Sequence, residues 1–159
     1  MRLETERLVI RSIVSEDLNA FIEMAADGSL EKDIFPGRSG APEVWMADWI
    51  QEAIRAEERD NIGDWLAFCI EEKREGTVLG SVGCNFNPDF SAVGLVYFIG
   101  AQERGNGYAA EAAAVFSKFL FEKYMIPRLL TTVRHENFAS RKVIEKAGFT
   151  EIKSEMYQD

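Results

Sequence analysis

Val93-Gly94-Leu95-Val96-Tyr97-Phe98-Ile99 is an apolar run, and it is followed shortly by Arg104-Gly105-Asn106-Gly107-Tyr108-Ala109, after which Ala112, Val115, Phe116 and Phe119 recur at helical spacing. The pattern reads as strand, glycine turn, helix. Glycines let the main chain approach a ligand without interference from a Cβ. The unpaired N–H groups and the positive dipole end of the following helix favour a phosphate by up to ~2 kcal/mol. Pro127 closes the helix, and Leu129 to Arg134 is expected to form the next strand. The second half of the chain is therefore a strand, helix, strand crossover beside an anion cradle.

Working outward, Leu8 and Ile10 alternate with Arg7 and Arg11 as a first strand. Ser15 reads as the N-cap of a helix carrying Leu18, Phe21, Ile22 and Ala25 and ending at Gly28. Gly37, Gly40 and Pro42 mark a loop before a second helix, whose Met46, Trp49, Ile50, Ala53 and Ile54 form an apolar stripe. Trp65 to Ile70 and Val78 to Cys84 are short apolar runs joined by a charged turn ending at Gly76, which predicts a hairpin. Asn87, Pro88 and Asp89 punctuate the chain before the strand ending at Ile99. A mostly antiparallel first half joined to one crossover gives an α+β, or mixed α/β, sandwich.

Bulk properties bound the function. A chain of 159 residues buries roughly 68–70% of its unfolded surface, enough for one core, so a single domain over 1–159 is expected. A net charge of −9 argues against nucleic acid or an anionic membrane as partner and suits a cationic one. Glu57, Glu58, Glu71 and Glu72 also serve simply as solvated surface. Cys69 and Cys84 lack C-x-x-C spacing and His135 stands alone, so no metal and no disulfide are expected. The charged start (Arg2, Glu4, Glu6, Arg7) reads as neither signal peptide nor membrane span, which leaves the cytoplasm as the expected location.

Two cofactor readings compete for the glycine run. Gly105, Gly107 and Ala110 fit G-x-G-x-x-G/A, but Arg134 and His135 stand where a dinucleotide site needs a carboxylate for the ribose. The run also lies past the middle of the chain, which leaves no room for two mononucleotide halves. The alternative pattern, Gln/Arg-x-x-Gly-x-Gly/Ala, is filled by Arg104, Gly107 and Ala109, with Asn137, Ser140 and Glu145-Lys146-Ala147-Gly148-Phe149 downstream. This pairing resembles the GNAT superfamily of acetyl-CoA-dependent N-acetyltransferases. The opening Thr5-Glu6-Arg7-Leu8-Val9-Ile10-Arg11 is similar to its RimJ/RimL-like branch, which acetylates protein N-termini and small amines.

The resemblance implies a twisted, mostly antiparallel sheet flanked by about four helices, with neighbouring central strands splayed apart. It implies acetyl-CoA as co-substrate: main chain of Tyr97, Phe98 and Ile99 on the pantetheine arm, the run Arg104, Gly105, Asn106, Gly107, Tyr108, Ala109 and Ala110 at the diphosphate, and Asn137 on the distal part. The acceptor is then a primary amine, on a peptide N-terminus or a small molecule, attacking the thioester directly in a ternary complex.

The family's usual acid, a Tyr seven residues after the Asn, is Ile144 in this chain, and Ser140 is the residue implied to protonate the departing thiolate. No carboxylate base stands near Leu95. Deprotonating a Lys at pH 7 costs about 4.6 kcal/mol and an α-amine only about 1.1 kcal/mol, so a weak base favours an α-amine. His135, Tyr97 and Tyr108 are explained by surface position or packing and stay outside the catalytic set. The tail after Phe149 is too short for the family's final hairpin strand, so the acceptor side is expected to be open or completed by a partner in a homodimer. A non-catalytic acyl-CoA-binding sensor is the competing reading.

Overall fold

A computed structural model describes residues 1–152. Six strands lie side by side in sequence order: β1 (Arg2–Glu4), β2 (Leu8–Ser12), β3 (Leu66–Glu72), β4 (Val78–Asn87), β5 (Ala92–Ile99) and β6 (Leu129–Leu130). All neighbours are antiparallel except β5 and β6, which are parallel. The helices are α1 (Leu18–Ala25), α2 (Ser29–Asp33), α3 (Pro42–Arg59), α4 (Tyr108–Tyr124) and α5 (Phe138–Lys146).

The continuous apolar character of β3 follows from cover on both faces. Leu66, Phe68 and Ile70 join Ala112, Ala113, Phe116 and Leu120 of α4 in one core cluster. Ala67 and Cys69 join Phe21 of α1 and Met46, Trp49, Ile50 and Ala53 of α3 in a second. The predicted mostly antiparallel α+β sandwich is the fold observed, and the hairpin is the β3–β4 pair. Burial pushes the thiols of Cys69 and Cys84 up to about 12.

Two local expectations change, and two short elements escape the sequence reading. β1 and α2 went unread because segments this short carry too little periodicity to register. Ser15 is not a side-chain cap; it opens a single 3₁₀ turn, and Asp17 Oδ2 accepts the Val14 N–H at 3.0 Å. Buried Asp17 is in turn gripped by both Nη atoms of Arg11 at 3.0 and 2.9 Å. The strand expected over Leu129 to Arg134 stops at Leu130. Beyond it the chain departs from β5, and Thr131 Oγ1 makes only a long 3.5 Å bond to Leu95 O. The expected short tail without a final hairpin strand concerns mainly residues outside the described ones.

Candidate functional site

β5 has two unlike edges. Its β4 edge is paired along eight register positions, from Gly80↔Ile99 to Asn87↔Ala92. Its β6 edge is paired at only two, Val93↔Leu129 and Gly94↔Leu130. From Leu95 onward the sheet is split. Antiparallel pairs alternate between hydrogen-bonded and open, and Gly100 N–H donating to Leu79 O at 2.8 Å fixes the phase. In that phase Val96 and Phe98 turn their main-chain groups toward β4, whereas Leu95, Tyr97 and Ile99 turn theirs into the split. Of the three residues expected to line it, Tyr97 and Ile99 do so through the main chain. Phe98 instead faces Ser81 and buries its ring against Phe21 and Phe35.

At the end of β5, Ala101–Glu103 form a 3₁₀ turn and Arg104 returns its Nε to Ile99 O at 3.0 Å. Gly105 and Gly107 then adopt φ of +85° and +79°, the left-handed region that glycine enters without strain. Gly107 caps α4, so the N–H groups of Tyr108, Ala109 and Ala110 begin a helix with no intrahelical acceptor behind them. The expected run is thus brought together as one turn at the head of α4, beside the split.

Across the split lies α5. Asn137 is its N-cap, with Oδ1 accepting the Ser140 N–H at 3.1 Å, so that cap was legible in the sequence. Ser140 is half-buried and its carbonyl accepts a 3.5 Å bond from the Tyr97 hydroxyl, the contact that spans the split. Burial raises the Tyr97 pKa, an effect the bond to Ser140 tempers. The phenol therefore stays protonated well past neutral pH. Among the described residues the Ser140 hydroxyl has no hydrogen-bond partner. His135 is exposed in the segment before α5.

Sequence reasoning missed a buttress that comes from the opposite end of the chain. Arg7 Nη1 donates to Asn106 O at 2.7 Å, Arg7 Nε to Glu111 Oε1 at 2.9 Å, and the Arg7 N–H to Glu111 Oε2 at 3.2 Å. The guanidinium lies 4.6 Å over the Tyr108 ring, and Thr5 Oγ1 also donates to Glu111. Partial burial works against the Glu111 charge, but the bonds from Thr5 and Arg7 together outweigh it and hold the carboxyl below its ordinary value. No periodicity links residues a hundred positions apart; only Arg7's place at the foot of a buried strand hinted at a role.

On the far face, Phe35, Trp49, Trp65 and Ala67 wall a cavity of about 90 Å³ rimmed by Arg38 and Glu52, which pair at 2.8 Å. Among the described residues no group of His, Cys, Asp and Glu is arranged to hold a metal ion, and no helix is long and apolar enough to cross a membrane.

The comparisons agree with this geometry. The chain is 24% identical over 93% of its length to an uncharacterized N-acetyltransferase, YnaD, of Bacillus subtilis (strain 168), covering 82% of that protein. Among solved structures, a GNAT-family acetyltransferase from Bacillus anthracis superposes with a TM-score of 0.77 at 24% identity, over 93% of this chain and 82% of that one. RimL, a ribosomal-protein α-N-acetyltransferase in complex with coenzyme A, superposes with a TM-score of 0.73 at 17% identity, over 94% and 84%. The model of the acetyltransferase (GNAT) domain matches residues 7–150, and the chain belongs to that family.

Proposed function

We propose that the chain is an acetyl-CoA-dependent N-acetyltransferase of the RimJ/RimL-like branch, one domain over 1–159 working in the cytoplasm on a primary amine of a peptide N-terminus or a small molecule. The observation that carries the reading is the split beyond Gly94, where main chain of β5 is left without a strand partner immediately before a left-handed glycine turn. The residues present fit the cofactor: an extended arm can bond the open edge at Tyr97 and Ile99, and the amides after Gly105 can receive a diphosphate. The family relationship and the RimL complex with coenzyme A support the same ligand.

When bound, acetyl-CoA supplies an activated acyl group whose leaving thiolate needs only modest help, since a free thiol has a pKa near ~8.5. Ser140, half-buried at the first turn of α5 with a hydroxyl that has no partner among the described residues, would relay a proton: it would give its own to the departing sulfur and recover one from the nitrogen that has attacked. Asn137 keeps Oδ1 on the helix cap and has its amide nitrogen left for the cofactor. Nothing in the site supplies a nucleophilic Cys: Cys69 and Cys84 are buried and their thiols stay protonated at neutral pH, which supports direct attack by the amine.

The test is release of free thiol from acetyl-CoA with a panel of peptides, polyamines and aminoglycosides. The expected result is turnover with at least one amine. Tight binding of acetyl-CoA with no release across the panel would convert the reading to that of a sensor, which Ile144 in the usual acid position favours.

A further inference from the structure

We infer that Arg7 and Lys146 form a cationic clamp that closes on the diphosphate of the acyl donor at the Gly107 turn, an inference that rests on the coenzyme A reading above. The two side chains come from opposite ends of the chain, yet they converge on one point. A Cβ placed on Gly107 would lie 3.3 Å from Arg7 Nη2 and 3.4 Å from Lys146 Nζ. Two cations this near to each other repel unless an anion accompanies them.

The anion is not fully supplied by the protein. Arg7 spends Nε on Glu111 Oε1 and Nη1 on Asn106 O, so Nη2 is the nitrogen left facing the turn. Lys146 has no ion-pair partner among the described residues. Glu111 offsets Arg7 alone, so Lys146 leaves a net positive node at the turn in a chain of net charge −9. Glu72, Glu75 and Glu103 line a recess that Tyr108 shares, where Arg74 is the single cation among the lining residues. Without the clamp, an anionic ligand would approach its main-chain amides through a negative field.

The two cations are not equivalent. Arg7 is held rigid by Glu111, Asn106 O and the Tyr108 ring, so its free nitrogen is aimed in advance. Lys146 is an exposed, flexible ammonium that can swing onto an oxygen once the ligand arrives. The clamp is thus one fixed jaw and one mobile jaw, and both would make charge-assisted hydrogen bonds to phosphate oxygens.

The test is calorimetric titration of the full chain with coenzyme A, dephospho-coenzyme A and pantetheine. In Lys146→Ala and Arg7→Lys, affinity for the two diphosphate ligands is expected to fall roughly tenfold and alike, while affinity for pantetheine is unchanged. Added salt should weaken the wild type more than either variant. Lys146→Ala should melt like the wild type, which separates lost binding from lost folding. Equal affinities in wild type and variants would overturn the clamp and leave the coenzyme A reading standing. A loss confined to coenzyme A, absent with dephospho-coenzyme A, would move the pair to the 3′-phosphate and overturn the diphosphate assignment. A wild type that binds none of the three would overturn both.

Discussion

The two edges of β5 are made of alternate residues of one largely apolar strand and do opposite work. Toward β4 the ladder is closed, glycines let the strands lie close, and the gain is stability. Toward β6 the ladder opens after Gly94, and although Arg104 occupies Ile99 O and Thr131 reaches Leu95 O, the Tyr97 peptide groups and the Ile99 N–H have no strand partner there and face the split. Buried main-chain groups left without partners are costly, so an edge that stays open between the last two strands of the sheet is repaid by whatever fills it.

The comparison breaks most sharply at the closed edge. A Cβ on Gly80 would overlap Phe98 O of β5, and one on Gly83 would overlap Leu66 O of β3 and so serves as a control at the neighbouring closed pairing, in both cases against rigid backbone. Gly80→Ala and Gly83→Ala are each expected to cost about 3 kcal/mol or more, read as a large fall in the urea midpoint or loss of soluble protein. A midpoint within experimental scatter of the wild type would show that the strands can separate without cost.

Gly107→Val tests the turn beside the open edge. The residue sits at φ +79° with only side-chain ends nearby, so strain of about 1–2 kcal/mol is expected in the folded state. Binding of coenzyme A should be lost altogether in the same titration. Ser140→Ala lies further down the scale: kcat should fall at least tenfold with KM for acetyl-CoA little changed, since only the proton transfer is removed. A proportional rise in KM would instead make Ser140 a binding residue.

The smallest effect concerns pH. Glu111 has its folded pKa held below the ordinary 4.5. Its contribution is therefore complete above the unfolded value and is lost as pH falls through the folded one. Between pH 5 and 3, Glu111→Gln should lose less stability than the wild type, measured as urea midpoints across that range.

What the sequence disclosed, and what it hid, follows the range of the interactions concerned. Gly105 and Gly107 at the head of an apolar helix, and Asn137 three residues before Ser140, are local patterns, and each sits where it was expected. Leu129 to Arg134 misled because its β propensity is genuine while its partner is missing: propensity cannot report that β5 has already turned away. Phe98 was grouped with its neighbours because a strand's alternation is visible, but the phase of its hydrogen bonds is set by Leu79 and Gly100. Arg7, Glu111 and Lys146 meet only through the folded sheet, so the charge arrangement at the turn had no signature in any one segment.

The order of the sheet also governs when the ligand edge comes into being. β1 through β5 pair in the sequence in which they occur, each against its predecessor, and β3, β4 and β5 are joined by tight turns that close quickly. β6 reaches β5 only after all of α4 has crossed the sheet, a non-local parallel contact of the slow kind. The cleft therefore owes its second wall to the last crossover: until β6 docks at Val93 and Gly94, β5 has a raw edge along its whole length, whereas the wider β2–β3 closure, Leu8 to Glu72, leaves no such opening.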